Sequence, residues 1–166
     1  MQEANQPNNE VLRLRLDAVE ARLAQIASAD PPPGLTEPDP SDGDRWEAGQ
    51  AWSHIAEFVP YWMSEAEKVI GAASPDPVPF GRIKTDEARI GAIERGRHEA
   101  ATDVISRVSA SIEAARVFTA ELDEREWEAR GAHQTQGVMT VRDIFDRFVA
   151  RHLEEHAEQL EKLTRA

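Results

Sequence analysis

The chain has 166 residues, 31 Asp and Glu against 19 Lys and Arg for a formal charge of −12, and no cysteine. That length suits one domain around one core, spanning residues 1–166. The missing thiols exclude disulfides, thiolate metal clusters and a Cys nucleophile, and the acidic balance argues against nucleic acid or an anionic bilayer as partner.

The hydrophobic set makes up 40% of the chain, too much for a disordered polymer, yet the longest apolar run is only a few residues. The start MQEANQPNNE has neither the basic nor the apolar part of a signal peptide. A cytoplasmic protein without a membrane span is expected. Five of the ten prolines fall in 31–40 and three in 75–79. Proline removes a backbone donor and clashes with the preceding turn, so these clusters mark linkers at about 30–43 and 74–81 and separate the helical blocks.

From Glu10 to about Ala29, Val11, Leu12, Leu14, Leu16, Val19, Leu23 and Ile26 recur at spacings of three and four, which predicts a first amphipathic helix. A second is expected from Asp44, as N-cap, to Gly71, with Trp46, Trp52, Ile55, Phe58, Val59, Trp62, Val69 and Ile70 on its repeat and Pro60 as a kink or break. Between Thr85 and Leu122 the pattern predicts a short turn of helix, then a long helix from about Glu99. Asp123 to Met139, with Gly131, Gly137 and the polar run HQTQ, reads as a loop, and Thr140 with Asp143 opens a last helix through about Leu163. Four amphipathic helices without β-type alternation indicate an all-α four-helix bundle and no strand.

The apolar stripe of the last helix runs Val141, Ile144, Phe145, Phe148, Val149, then His152, His156, Leu160 and Leu163. Residues four apart on a helix stand on one face with Cβ atoms about 5–6 Å apart, so both imidazoles can reach one ion. His54, one residue before Ile55 and four before Phe58, takes an inward position on the second helix. A lone inward histidine is more often a hydrogen-bonded core residue. Three of them would each need ring nitrogens satisfied in an apolar interior, whereas one divalent cation accepts a lone pair from all three.

The segments WEAGQAWSHIAEF, with Trp46 eight residues ahead of His54, and GVMTVRDIFDRFVARHLEEHAEQL, ending in His-x-x-x-His-x-x-Gln, resemble the second and last helices of the DinB/YfiT-like four-helix metalloproteins. In helix order the resemblance extends over residues 10 to 164. It implies an up-down-down-up bundle, commonly a homodimer, holding a divalent metal on His54, His152 and His156. It also implies membership of a group that includes mycothiol-dependent maleylpyruvate isomerase-type proteins and other thiol transferases.

Three neutral imidazoles leave a coordination position open, which favours catalysis over stapling. Zinc is the first choice, with nickel and iron also compatible with nitrogen ligands. Glu57, three residues after His54, is a candidate fourth ligand, outer-sphere acceptor or general base, against the plain reading of a solvated carboxylate. Gln159, three after His156, is a candidate for orienting a ligand or substrate. Trp46, Trp52 and Trp62 read as core or pocket wall. His98 and His133 read as solvent-exposed, with a lid role open for His133, and Arg95 and Arg97 as part of a solvated face. The leading functional reading is a metal-dependent hydrolase or thiol (mycothiol/bacillithiol-type) transferase acting on a small molecule. The competing one is a non-catalytic, stress-associated or structural bundle dimer with a stabilising or vestigial metal site.

Overall fold

A computed structural model describes residues 6–72 and 75–165. Four long helical segments form the body: α1 (Gln6–Ala27), α2 (Ala48–Gly71), α4 (Ala101–Glu121) and a last helix. The last helix is continuous through α6 (Val141–Asp143), a π-helical stretch (Ile144–Ala150) and α7 (Arg151–Arg165). Two short helices, α3 (Glu87–Gly96) and α5 (Glu124–Trp127), and three short strands, β1 (Val78–Phe80), β2 (Arg130–His133) and β3 (Gly137–Thr140), complete it.

Each long helix buries one stripe. Leu12, Leu16, Val19, Leu23 and Ala27 of α1 face Ile55, Phe58, Val59 and Ala66 of α2, Val104, Val108, Ile112 and Ala115 of α4, and Val149, Leu153, Ala157 and Leu160 of the last helix in one core. Burying a Leu, Ile or Phe side chain is worth roughly 1.5–3 kcal/mol, so this seam is the main source of cohesion. Val11 and Leu14, expected on the buried stripe of α1, lie outside it at 55% and 53% exposure.

The helices form a ring in which α1 neighbours α4 and the last helix, and α2 neighbours the same two. Helices consecutive in the chain, α1 with α2 and α4 with the last, therefore stand on the diagonals. Their connections must cross an end of the bundle, which accounts for two long ones. Arg15 of α1 grips Glu154 of α7 through two bonds of 2.9 Å and also reaches Asp146, while Arg22 pairs with Glu161 about two turns further on.

Local chemistry sets the boundaries. The second helix starts at Ala48, not after Asp44: Glu47 is the N-cap, its N–H donating to Gln50 Oε1 at 2.9 Å. Pro60 lies on the exposed side and the helix runs through it. Asp86 caps α3 by accepting the Arg89 N–H. Thr140 and Asp143 form the reciprocal box expected of them, the Thr140 N–H on Asp143 at 2.9 Å and the Asp143 N–H on the Thr140 hydroxyl at 3.1 Å.

Two expectations are corrected. The strands, read as absent, make a sheet in the order β1-β2-β3: β1 pairs parallel with β2 (Phe80 opposite His133), and β2 antiparallel with β3 (Arg130 opposite Thr140, His133 opposite Gly137). The segment 123–139, read as loop, holds α5 and this hairpin. Strands of three or four residues are too short for alternation to register in sequence, and here they carry a proline and two glycines. Gly131 is where the sheet meets α2, since a Cβ there would stand 2.5 Å from Phe80 and 2.8 Å from Val69.

A candidate metal centre at the end of the bundle

The π-helical stretch determines where the two late histidines point. An extra residue in that turn moves the core seam, which continues as Val149, Leu153, Ala157 and Leu160, all with no exposed surface. His152 and His156 thus border the seam instead of continuing it, and face α2. There His54 stands at 3% exposure, directly ahead of Ile55.

The three rings converge. His54 Nε2 lies 3.0 Å from His152 Nε2, and His152 Nε2 lies 3.2 Å from His156 Nε2. One nitrogen from each ring falls within 4.8 Å of the others. Nitrogens about 2.0–2.1 Å from one tetrahedral ion would stand about 3.3–3.4 Å apart, so this spacing is close to that of a shared ion.

The outer ring nitrogens fix the tautomers. His54 Nδ1 is 2.7 Å from Glu57 Oε1, and an ionised carboxylate only accepts, so Nδ1 carries the proton and Nε2 turns its lone pair inward. His156 Nδ1 donates in the same way to Gln159 Oε1 at 2.9 Å, again leaving Nε2 as the inward lone pair. Burial, chiefly, holds all three imidazoles below the usual histidine range, with His156 at about 4. They are neutral at pH 7, the form in which imidazole is a ligand. Donor type, spacing and protonation together fit a divalent cation.

Glu57 faces away from the point of convergence. Beyond His54 both its oxygens take Arg82 Nη2 at 2.6 Å, and the Arg82 guanidinium lies 3.8 Å over the Tyr61 ring. Burial raises the Glu57 carboxyl above its ordinary range while Arg82 pulls it back. Trp46 walls the site, stacked on His156 at 6.0 Å and edge-on to His54 at 5.3 Å. Trp52 and Trp62 are buried in the core.

A cavity of about 360 Å³ opens above the histidines between the 36–46 connection, α2, α3 and α7. The connection is pinned there: Thr36, 3% exposed, receives the Trp46 N–H on its hydroxyl and donates its own N–H to the Trp46 carbonyl. Lys84 ties it from the other side through Asp39 at 2.6 Å and Asp42 at 3.1 Å. Arg89 also lines the cavity.

The remaining expectations divide. His98 is exposed. His133 is not: at 6% exposure it is packed among Trp62, Phe80 and Phe148 with Nδ1 accepting from the Thr135 and Gln136 N–H groups. The hairpin folds this polar-looking stretch onto the bundle, far in character from a lid. Arg95 is exposed and Arg97 is tied to Glu47 and Glu94. Neither Arg82 nor Arg89 was legible in the sequence as a site residue. Each comes from outside the two motif segments, Arg82 from the loop after β1 and Arg89 from the short helix α3, and a single arginine in either setting is an ordinary surface pattern.

Comparison with known proteins bears on the family and the fold. The family model of the DinB superfamily matches residues 10–160. No functionally curated protein matches the chain significantly. Among solved structures, YfiT from Bacillus subtilis, described as a probable metal-dependent hydrolase with an unusual four-helix bundle topology, superposes at a TM-score of 0.71 and 15% identity over 95% of this chain and 86% of that one. The mycothiol-dependent maleylpyruvate isomerase gives 0.70 at 13% identity over 92% of this chain but 60% of its own, so the present chain spans about three fifths of that protein. A protein from Clostridium difficile gives 0.61 at 11% identity over 95% of both chains. At these identities the likeness is one of fold.

Proposed function

We propose that this chain, which belongs to the DinB superfamily, is a metal-dependent enzyme of the hydrolase or thiol-transferase kind. His54, His152 and His156 would hold one divalent cation, zinc before nickel or iron, through their Nε2 atoms. The observation that carries the reading is the convergence of three Nε2 atoms at the floor of a cavity, with the outer nitrogens of His54 and His156 held by Glu57 and Gln159. Bound there, the ion would supply Lewis-acid chemistry, making a nucleophile near neutral pH from water or a thiol.

The chain's own residues do the rest. Glu57 keeps the proton on His54 Nδ1, and Arg82, locked over Tyr61, keeps Glu57 in place. With both oxygens so engaged, Glu57 acts as a positioning residue, and Gln159 does the same for His156. Trp46 closes one side against water and gives a small-molecule substrate or low-molecular-weight thiol a flat apolar wall. The reading takes residues 1–166 as one unit working as a cytoplasmic homodimer. Among the described residues no helix is long and apolar enough to cross a membrane.

Elemental analysis of protein purified without an affinity tag or added metal tests the site. About one equivalent is expected for wild type, with loss of it in His152→Ala and His156→Ala and retained helicity, because the bundle has its own apolar seam. Equal metal in all three proteins excludes these ligands.

A further inference from the structure

Among the described residues, the cations that line the cavity are Lys84 and Arg89, and of these two only Lys84 is in an ion pair. Asp39 and Asp42 hold Lys84. Glu57 holds Arg82. The Asp86 carboxylate accepts the backbone N–H of Arg89, not its guanidinium. Among the described residues the Arg89 guanidinium makes one hydrogen bond, Nη1 to the Lys84 carbonyl at 3.0 Å, lies over the Trp46 ring at 5.6 Å, and is in no ion pair. It is half-buried, lines the same cavity as the three histidines, and its charge is felt by all three.

A half-buried guanidinium has lost part of its hydration and, without a carboxylate, recovers little of that cost. The cost is recovered when a ligand brings the anion. In a chain of net charge −12 few cations are open to an anion, and of the two that line this cavity Lys84 is engaged by Asp39 and Asp42 while Arg89 faces the space with no ion-pair partner among the described residues.

We propose that Arg89 is the specificity-determining residue of the cavity, and that the substrate carries a carboxylate which Arg89 binds while the reacting end of the molecule sits over the three histidines. The planar fork of the guanidinium matches a carboxylate through two parallel bonds. A carboxylate is favoured over a phosphate group because Asp39, Asp42, Asp44 and Glu94 line the same cavity against Arg89 and Lys84, with Lys84 already on Asp39 and Asp42: a dianion would meet twice the repulsion that a monoanion meets from these acids. Trp46 serves both ends, stacking on His156 and lying under Arg89, so the anion position and the metal position share one wall.

The proposal rests on the three-histidine reading, and the test separates the two. The full chain is loaded with cobalt(II), whose thiolate absorption reports coordination. It is then titrated with 3-mercaptopropionate and with its neutral isostere 3-mercaptopropionamide. Wild type is expected to bind the acid about ten-fold or more tightly over the amide, the scale of one charge-assisted bidentate contact. In Arg89→Gln the acid should fall to the level of the amide, with cobalt content and amide affinity unchanged, and Arg89→Lys should recover only part of the preference. Equal affinity of acid and amide in cobalt-loaded wild type overturns the anion role and leaves the metal site standing. Inorganic phosphate displacing the acid at equal concentration overturns the choice of a carboxylate. Failure of wild type to bind cobalt overturns both readings.

Discussion

Glu57 touches two partners of opposite demand, and its behaviour on substitution follows from them. It accepts from His54 and is braced by Arg82, whose side chain is only 9% exposed. Outer-sphere acceptors of this kind commonly change metal affinity about 10–100-fold. Glu57→Gln keeps an oxygen near His54 but loses the charge, so metal affinity should drop within that range in competition with a calibrated chelator while the melting curve of the metal-free protein keeps its shape. Unchanged affinity would remove Glu57 from the site. His54, His152 and His156 were legible because helical spacing is local: two of them are four residues apart and the third precedes an apolar run. Arg82 and Arg89 reach the site only through the folding of β1 and α3 against α2, which no local period records. His133 was misread for the converse reason, its neighbours being polar in sequence and aromatic in space.

At the scale of elements, the helices were readable and their irregularities were not. Repeats of three and four located α1, α2, α4 and the last helix within a few residues at most ends, whereas the sheet and the π-helical stretch left no periodic trace. The latter has the larger effect. Val141 before it, Ile144, Phe145 and Val149 within it, and Leu153, Ala157 and Leu160 after it are all fully buried, which a uniform α-helix of this sequence would not achieve as well. Deleting Arg147, half-exposed in the middle of the stretch, removes the extra residue, so the stretch should rewind to α geometry with its two flanks in nearly the same phase: at about 100° per residue Val141 and Leu153 then stand about 20° apart, against about 120° in a uniform α-helix of the full sequence. The expected outcome is retained bound metal and a melting temperature close to that of Arg147→Ala. A deletion variant that loses its metal would show that the extra residue is not what sets the direction of His152 and His156.

For the molecule as a whole, the bundle class was legible because amphipathic helices have few other ways to cover their apolar faces. The order in which they surround the core was implied only by resemblance. The acid response belongs to this scale, since it sums groups from several elements. His54, His133, His152 and His156 are all held below the ordinary histidine range, primarily by burial. Above about pH 6.5 they are neutral in both folded and unfolded chains and contribute no pH dependence. As the pH falls below that value the unfolded chain takes up protons that the folded one refuses, so stability declines toward the folded pKa, about 4 for His156. Thermal melts of chelator-treated protein should therefore be flat from pH 8 to 7 and fall steadily from 6.5 to 5. A melting temperature independent of pH across the lower interval would contradict the burial of these rings.

The diagonal placement of consecutive helices has an evolutionary corollary. Because the strap from α1 to α2 must pass over the top of the barrel of helices, it paves the entrance with Thr36, Asp39, Asp42 and Asp44, residues that pack no part of the interior seam. Insertions or exchanges there can retune what is admitted while the hydrophobic interior stays as it is, so related proteins are free to diverge in diet without relearning how to fold.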